Sequence, residues 1–591
     1  MMRSSLRRVA HRARAAYEIN ASAIRACHSD RSDEMVMTSQ RRLGVIHDPA
    51  LNRGTAFSTD ERERLLLRGL VPPRQQPLHH QVKRVMETYM TQRTNLDKFQ
   101  FLSLLMDRNT VLFYRCLVDH FEQLAPIVYT PVVGEACLKF HAIYRRTRGM
   151  YFSLLDRPHF RTMVYNWPID DVDVIVVTDG SRVLSLGDLG CNSMNIPIGK
   201  LSLYVSAAGI SPSRTLPIVL DVGTDNLQLR ENPLYLGLNR PRLRGKAYYD
   251  LLDEWMSAIR HRWPNTLIQF EDFASEAAEK LLDRYRVSSA PCFNDDIQST
   301  GSIAIAALLS SLRAREKSMR DIKDDRIVCV GAGSAGVGVC EGLVQAMQYY
   351  GMAKQDAYRN FYLLDENGLL GRGRPLIGNR VNFSRDDLQD GMSLVDVVKA
   401  VKPTILLGLS GVGGLFTEDV VREMAKHVEK PVIFPMSNPS VSSECTPEQA
   451  FNWTDGRAVV ATGSPFENVT LKDGSIGYTN QANNVYSFPG LGLAVTVARI
   501  SCVTDEMFLA AGRHVAQLSS DEEVRKGILF PPVTQLRDVS AEIAAAVVFV
   551  ARAAGLVRRR LPDMAWESHD SMVQYMKSQM WEPKYGHLVA K

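Results

Sequence analysis

No uninterrupted apolar stretch reaches the ~20 residues that a helix needs to cross a bilayer, which excludes a helical membrane span. No Cys-x-x-Cys pair occurs either. With nine cysteines scattered singly along the chain, that absence argues against a disulfide framework or a zinc site. It suits the reduced thiols of a cytosolic or matrix enzyme. The sequence also lacks internal repeats and low-complexity tracts. Outside one segment it lacks net charge as well. Residues 1 to 28 hold six arginines (Arg3, Arg7, Arg8, Arg12, Arg14, Arg25), one acid (Glu18) and no lysine, and they carry the whole formal charge of +5. The body is neutral, so there is no bulk electrostatic case for nucleic acid.

The leader has helical spacing, with Leu6, Val9, Ala10, Ala13 and Tyr17 opposite the arginines. Arg-rich, Ser-containing and acid-poor, it reads as an organellar transit peptide, which places the protein in the mitochondrial matrix. A solvated basic tail on a cytoplasmic protein is the alternative. No apolar h-region follows the arginines, which argues against secretory export.

At 591 residues, with 45% apolar and 23% charged residues, the chain has an ordinary globular composition and too much length for one core. From about residue 56 to 150 the pattern is helical, as in Glu61–Leu70 and Asn109–Leu124, with Pro72, Pro73 and Pro131 as breaks. Short β-branched runs then appear: Val174–Thr178, Pro217–Val222 and Thr266–Phe270. A second alternation has strand-like Arg326–Val330, Phe361–Leu364, Thr404–Leu409, Pro431–Phe434 and Val459–Thr462, with helical Val337–Tyr349 and Glu418–Lys426 between. Alternation of this kind predicts an α/β protein. The expected parts are a leader (1–45), a helical N-terminal domain (46–147) and a parallel-sheet domain (148–294, completed by 484–555). A doubly wound Rossmann-type domain (295–483) and a C-terminal helical tail (556–591) follow.

Arg326–Val330 runs into Gly331-Ala332-Gly333-Ser334-Ala335-Gly336 and then a long helical stretch. Strand before and helix after give this glycine pattern meaning. Gly331 permits the turn, Gly333 admits a pyrophosphate, and Gly336 lets helix and strand pack closely, with Ser334 and Ala335 opening the helix. Asp365, closing the next strand, stands where a ribose-binding acid belongs. Arg372, Arg374 and Arg380 follow it. Asp365 favours NAD and an arginine favours NADP; the reading leans to NADP.

Two acidic clusters stand out: Glu271-Asp272 closes a strand-like run in Leu267–Phe273, and Asp295-Asp296 sits in Phe293–Gln298. Adjacent side chains on a strand face opposite ways. A pair therefore serves one ion only where the strand ends and the backbone turns. Hard oxygen ligands suit Mg²⁺ or Mn²⁺, although each pair alone would count as helix-start or surface acids. Lys200, in apolar Ile196–Tyr204, would lose proton affinity beside a metal and act as a base; alone it would snorkel to solvent. Tyr129 alone would be a packing tyrosine.

Together these segments are recognisable. Tyr129-Thr-Pro-Val-Val-Gly134, Val177-Thr-Asp-Gly180, Leu186-Gly-Asp-Leu-Gly190, Ile196-Pro-Ile-Gly-Lys200, Gln269-Phe-Glu-Asp-Phe273 and Phe293-Asn-Asp-Asp-Ile-Gln298 occur in order. Gly331-Ala-Gly333, Ser437-Asn-Pro439, Gly463-Ser-Pro-Phe466 and Asn483-Asn-Val-Tyr486 continue the series. It resembles the malic enzyme family of the large eukaryotic and bacterial type, from about Arg53 to beyond residue 580. The resemblance implies oxidative decarboxylation of L-malate to pyruvate and CO₂ with NADP or NAD, dependent on Mg²⁺ or Mn²⁺, in a homodimer or homotetramer. It implies Glu271, Asp272 and Asp296 as metal ligands, Lys200 as base, Tyr129 as acid and Asp295 as an acid assisting the lysine. It implies Arg182, Asn438 and Asn484 as substrate-binding residues, with Asn438 also near the cofactor. Asn192, Ser193 and Asn195 stand where the family usually has small residues, and Ser299 replaces a usual glycine. The competing readings are a malolactic-type enzyme and a non-catalytic dinucleotide-binding protein.

Overall fold

Short runs of β-branched residues that are buried along their whole length form parallel sheets, because helices then cover both faces. The computed structural model describes residues 35–184, 186–286 and 290–590, and the arginine-rich leader expected at 1 to 28 lies outside them. The chain forms two units, divided after Asp119 and before Trp581.

The first unit holds the strand β1 (Met35–Thr38) and the helices α1 (Leu78–Met90), α2 (Asn95–Arg108) and α3 (Thr110–Asp119). Helix α2 starts at a capping box: the Thr94 hydroxyl accepts from the Asp97 N–H, and the Asp97 carboxylate accepts from the Thr94 N–H. The helix expected over Glu61–Leu70 is shorter, Thr59–Arg64, because Leu66 turns to φ +57°. Residues after Trp581 return to this unit, where the last strand runs parallel to β1.

The second unit, His120–Met580, contains two parallel sheets. Helix α4 (Phe121–Val128) precedes them; the stretch expected as one helix over Asn109–Leu124 breaks at His120. The first sheet comprises β2 (Met150–Ser153), β3 (Val174–Thr178), β4 (Thr215–Asp221), β5 (Leu267–Phe270) and β6 (Cys292–Asn294), in the order β2-β4-β3-β5-β6. The second comprises β7 (Ile327–Val330), β8 (Phe361–Asp365), β9 (Gly368–Leu369), β10 (Ile405–Gly408), β11 (Val432–Pro435) and β12 (Val459–Thr462). After the small hairpin β13 (Val469–Thr470) and β14 (Ile476–Gly477), β15 (Thr479–Gln481) completes it. Its order is β15-β12-β11-β10-β7-β8-β9, parallel except for β9. The last strand, β16 (His587–Ala590), belongs to the first unit. Chain order reverses between β7 and β10, which makes a topological switch point there.

The helices that matter below are α5 (Asn195–Ala208), α6 (Lys246–Arg262), α7 (Ser275–Tyr285), α8 (Thr300–Ala314), α9 (Ser334–Tyr349), α10 (Phe488–Ala498), α11 (Asp505–Leu518), α12 (Leu536–Ala553) and α13 (His569–Ser578). Helix α10 is buried on all sides and α5 nearly so, as helices apolar all round must be. Their contact depends on Gly492 of α10: a Cβ there would lie 2.4 Å from Cε1 of Tyr204 on α5. The Tyr204 ring instead meets Phe488 edge-on, centres 4.8 Å apart. Among the described residues no helix is long and apolar enough to cross a membrane, and eight cysteines are free.

Gly492→Val forces two buried helices apart and is expected to destabilise the fold by about 1–3 kcal/mol, the usual cost of overpacking. The denaturation midpoint measures this, and a midpoint equal to the parent's contradicts the described contact.

Candidate active site

Strand β5 ends at Phe270, and the backbone turns two residues later. Asp272 has φ +57°, a left-handed conformation that costs a non-glycine residue about 1–3 kcal/mol. The turn is held from both sides. The Asp272 carbonyl accepts from the Arg182 N–H (3.2 Å), and its carboxylate accepts from the Leu184 N–H (3.3 Å). Its own N–H donates to Asp296 Oδ2 (2.9 Å). Asp295 and Asp296 begin a π-helical turn, Asp295–Ser299, that leaves β6 and runs into α8. Since β5 and β6 are neighbours, both acidic pairs emerge at one sheet end.

Lys200 reaches this end from buried α5. Its Nζ lies 2.7 Å from Asp295 Oδ2 and 3.0 Å from Glu271 Oε1. The Tyr129 and Phe488 rings flank it at 4.9 and 4.7 Å. Tyr129, at the end of α4, donates its hydroxyl to Glu271 Oε1 (3.1 Å). It fits against α5 because the residue before the lysine is Gly199, where a Cβ would come within 2.8 Å of the tyrosine ring. Asn484 Nδ2 donates to Asp295 Oδ2 (2.9 Å). Arg182 is at the exposed rim, its guanidinium 2.5 Å from Ser275 Oγ.

Two residues that sequence reasoning passed over support this group. Gln269 donates through Nε2 to Glu271 Oε2 (2.7 Å) and accepts the Tyr204 hydroxyl at 2.5 Å. Gln269 precedes Glu271 by two positions, the strand period, so the sequence did carry the signal that they share a face.

Electrostatics follow from crowding. Burial raises Glu271, Asp272 and Asp296; Lys200 pulls Glu271 back down while Asp295 pushes it up, Asp296 raises Asp272, and Asp295 raises Asp296 against the Asp272 N–H, which lowers it. Asp296 is pushed up to about 6. Burial raises the Tyr129 phenol well above its ordinary value, and Glu271 adds to it. The lowered proton affinity expected of Lys200 beside a metal is not what its protein neighbours alone produce. Burial pulls the Lys200 ammonium down, but Asp295 and Glu271 outweigh it and hold the proton well above the ordinary value.

The donor set of Glu271, Asp272 and Asp296 is all oxygen, and Asp272 Oδ2 is buried without a hydrogen-bond partner. With that oxygen unpaired and the acids crowded together, the set fits a hard divalent cation. They do not offer one oxygen each within 4.8 Å of the others; among the described residues His514, Glu542 and His569 are the trio that does. The expected convergence stays open because Glu271 is drawn to Lys200, Tyr129 and Gln269 instead.

The glycine motif lies at the switch point of the second sheet. Gly331 follows β7 with φ +115°, and a Cβ there would lie 2.3 Å from the Leu409 carbonyl oxygen beyond β10. A Cβ on Gly336 would lie 1.8 Å from the Gly331 oxygen, whereas one on Gly333 would meet nothing within 4 Å. Helix α9 begins at Ser334, with Ala335 in its first turn, aiming N–H groups at that open side. Asp365 ends β8 and pairs with Arg374 Nη1 at 3.1 Å. Arg374 also meets Asp390, while exposed Arg372 pairs with Asp386. Exposed Arg380 stands within electrostatic reach of Glu279 on α7. Asn438 is apart from the lysine group in its bonding: after β11, its Oδ1 accepts from Ser464 (2.6 Å). Buried Glu444, which no local pattern marks, accepts from Ser410 Oγ (2.7 Å) and Ser437 Oγ (2.6 Å), tying the loops after β10 and β11.

A dinucleotide turn at the switch point of a parallel sheet is the arrangement of nucleotide-dependent oxidoreductases. Within that class the match is specific. Residues 106–286 match the family model described as malic enzyme, N-terminal domain, and residues 297–552 match malic enzyme, NAD binding domain. The hydrogenosomal malic enzyme of Neocallimastix frontalis is 46% identical, over 94% of this chain and 93% of its own. NAD-dependent malic enzyme 2, mitochondrial, of Arabidopsis thaliana is 44% identical, over 96% of each. The human NADP-dependent malic enzyme, mitochondrial, is 42% identical, over 88% of this chain and 86% of its own. The chain belongs to the malic enzyme family. The crystal structure of Entamoeba histolytica malic enzyme shares the fold, with TM-score 0.55 at 22% identity, covering 87% of this chain and 91% of that one.

The raised Asp296 has a consequence for stability. From 3.8 in the unfolded chain to about 6 in the folded one, the group binds its proton more tightly when folded. Stability is therefore lost as pH rises through that window. In chelator, Asp296→Asn is expected to raise Tm at pH 7 and to change it little near pH 4. A variant less stable than its parent at pH 7 rules out a carboxyl raised by burial and by Asp295.

Proposed function

We propose that the protein oxidises L-malate to pyruvate and CO₂ with a nicotinamide dinucleotide, in a reaction dependent on Mg²⁺ or Mn²⁺. The observation that carries this is the buried Lys200, within 2.7 Å of Asp295 and 3.0 Å of Glu271, beside the unpartnered Asp272 Oδ2. Glu271, Asp272 and Asp296 would hold the divalent ion, and the Gly331–Gly336 turn with Asp365 would hold the dinucleotide. When bound, the dinucleotide accepts the C2 hydride, and the ion polarises the C2 oxygen and offsets the charge left as CO₂ departs.

The chain's own groups handle protons and position. Lys200 takes the C2 hydroxyl proton and passes it towards Asp295, its 2.7 Å neighbour. To be a base it must first lose its ammonium proton, which Asp295 and Glu271 hold in place; a divalent ion that took Glu271 as a ligand would weaken that hold. Tyr129, kept protonated by burial and by Glu271, delivers a proton to C3 after decarboxylation. Arg182 at the rim and Asn484 beside Asp295 bind the substrate carboxylates, with Asn438 on the cofactor side.

NADP is the proposed dinucleotide, on the exposed Arg372 and Arg380 that follow Asp365. A preference for NAD is the second reading; the Asp365–Arg374 pair favours it, because Arg374 is already committed to two acids. The leader would direct the protein to the mitochondrial matrix, and the working form would be a homodimer or homotetramer. Fusing residues 1–45 to a fluorescent reporter tests the first point, and light scattering tests the second.

With malate and Mn²⁺, reduced cofactor and pyruvate are expected to accumulate, faster with NADP than with NAD. Lactate formed without reduced cofactor would instead indicate a malolactic reaction. Lys200→Ala is expected to lower kcat by the roughly 10²–10⁴-fold of general acid–base groups; an unchanged kcat removes the assignment. Arg372→Gln should lower kcat/KM for NADP more than for NAD, and equal losses favour the NAD reading.

A further inference from the structure

Away from the lysine and its carboxylates, one group in the second unit has the composition of a ligand set. His514 stands on α11, Glu542 on α12, and His569 opens α13. The Nε2 atoms of His514 and His569 lie 3.1 and 2.8 Å from one oxygen, Glu542 Oε2. The imidazole centres are 4.7 Å apart. One ligand atom from each residue lies within 4.8 Å of the other two. Each side chain is partly exposed, at 20% to 35%, so an ion reaches the group without unfolding.

We propose that His514, Glu542 and His569 form a site for a borderline divalent transition ion of the zinc type, which clips α11, α12 and α13 together. Two imidazoles and one carboxylate are the donor set of zinc sites that keep a fourth, open position for water. Tetrahedral bonds of ~2.0–2.2 Å place neighbouring ligand atoms about 3.4 Å apart. The two imidazole-to-carboxylate spacings of 3.1 and 2.8 Å need to open by about 0.3 and 0.6 Å to reach that figure, and the imidazole nitrogens lie within 4.8 Å of one another, so side-chain torsions suffice. The Phe549 ring stacks beside His569, centres 6.3 Å apart. Nitrogen ligands select zinc, nickel or cobalt over Mg²⁺, which separates this site from the all-oxygen set at Glu271, Asp272 and Asp296. The clip bears on the site's scaffold. Helix α11 accepts the Ser302 hydroxyl of α8 at the Phe508 carbonyl (2.8 Å), and Arg537 of α12 donates to the Ser206 carbonyl of α5 (3.2 Å).

The test is calorimetric titration of the full-length protein with Zn²⁺ in excess Mg²⁺, beside the His514→Ala/His569→Ala double variant and Glu542→Gln. The parent is expected to bind one more Zn²⁺ per chain than the double variant. Zn²⁺ should raise the parent's Tm by several degrees and leave the double variant's unmoved. Equal stoichiometry and equal Tm response in parent and double variant overturn the proposal, since the trio is then only a hydrogen-bonded ion cluster. Should the double variant fail to fold, the nearly isosteric Glu542→Gln decides: at least a tenfold loss of Zn²⁺ affinity supports the site, and an unchanged affinity overturns it.

Discussion

Two adjacent parallel strands deliver four carboxylates to one sheet end, and like charges so close do not share a low-dielectric interior without a cation. The Lys200 ammonium answers for Glu271 and Asp295. Asp272 and Asp296 are left facing one another, joined only by a backbone N–H that donates to Asp296. Much of the surrounding architecture follows from bringing that one lysine to the strand ends. It needs a helix buried nearly all round, α5, and a glycine beneath Tyr129. It also needs α10 close behind, where Phe488 faces the ammonium. A break in any of these supports would leave buried charge without its partner, which costs far more than the pair itself contributes.

The second sheet solves a different problem, how to let a backbone approach a charged ligand. Its first turn carries no side chain at Gly331 or Gly336 because the Leu409 and Gly331 carbonyls fill the space. At Gly333 no atom would crowd a Cβ, so that glycine matters for what comes near rather than for the fold. Glu444 works from beneath, accepting from serines of two successive strand-end loops. The two sheets are joined through the turn Asp295–Ser299, which hands the chain directly from β6 to α8.

Much of this was legible before any coordinates. Val174–Thr178 and Val459–Thr462 form strands with the expected bounds, because runs rich in β-branched residues leave few alternatives. Met150–Ser153, Cys292–Asn294 and Thr479–Gln481 were not expected, being four residues or fewer and specified by their neighbours in the sheet. The need for a backbone turn after Phe270 was readable from the adjacency of Glu271 and Asp272, and the positive φ of Asp272 meets it. The protonation of Lys200 was not readable, since it depends on how two acids from distant segments pack around it. Nor was Glu444, whose serine partners lie 34 and 7 residues away. Pair distances of that kind are tertiary facts with no local trace.

The burial of the lysine cluster reaches beyond its chemistry. Dissolved ions weaken attraction between charges that face water, over a Debye length of about 10 Å at 0.1 M, but penetrate a packed interior poorly. With side chains 1% to 4% exposed, Lys200, Glu271 and Asp295 are sheltered from that screening. The salt sensitivity of this protein therefore belongs to its periphery, to pairs such as Lys280–Glu276 and Arg244–Asp225 that stand largely in solvent. Ionic strength can loosen the surface while the buried charges keep their arrangement.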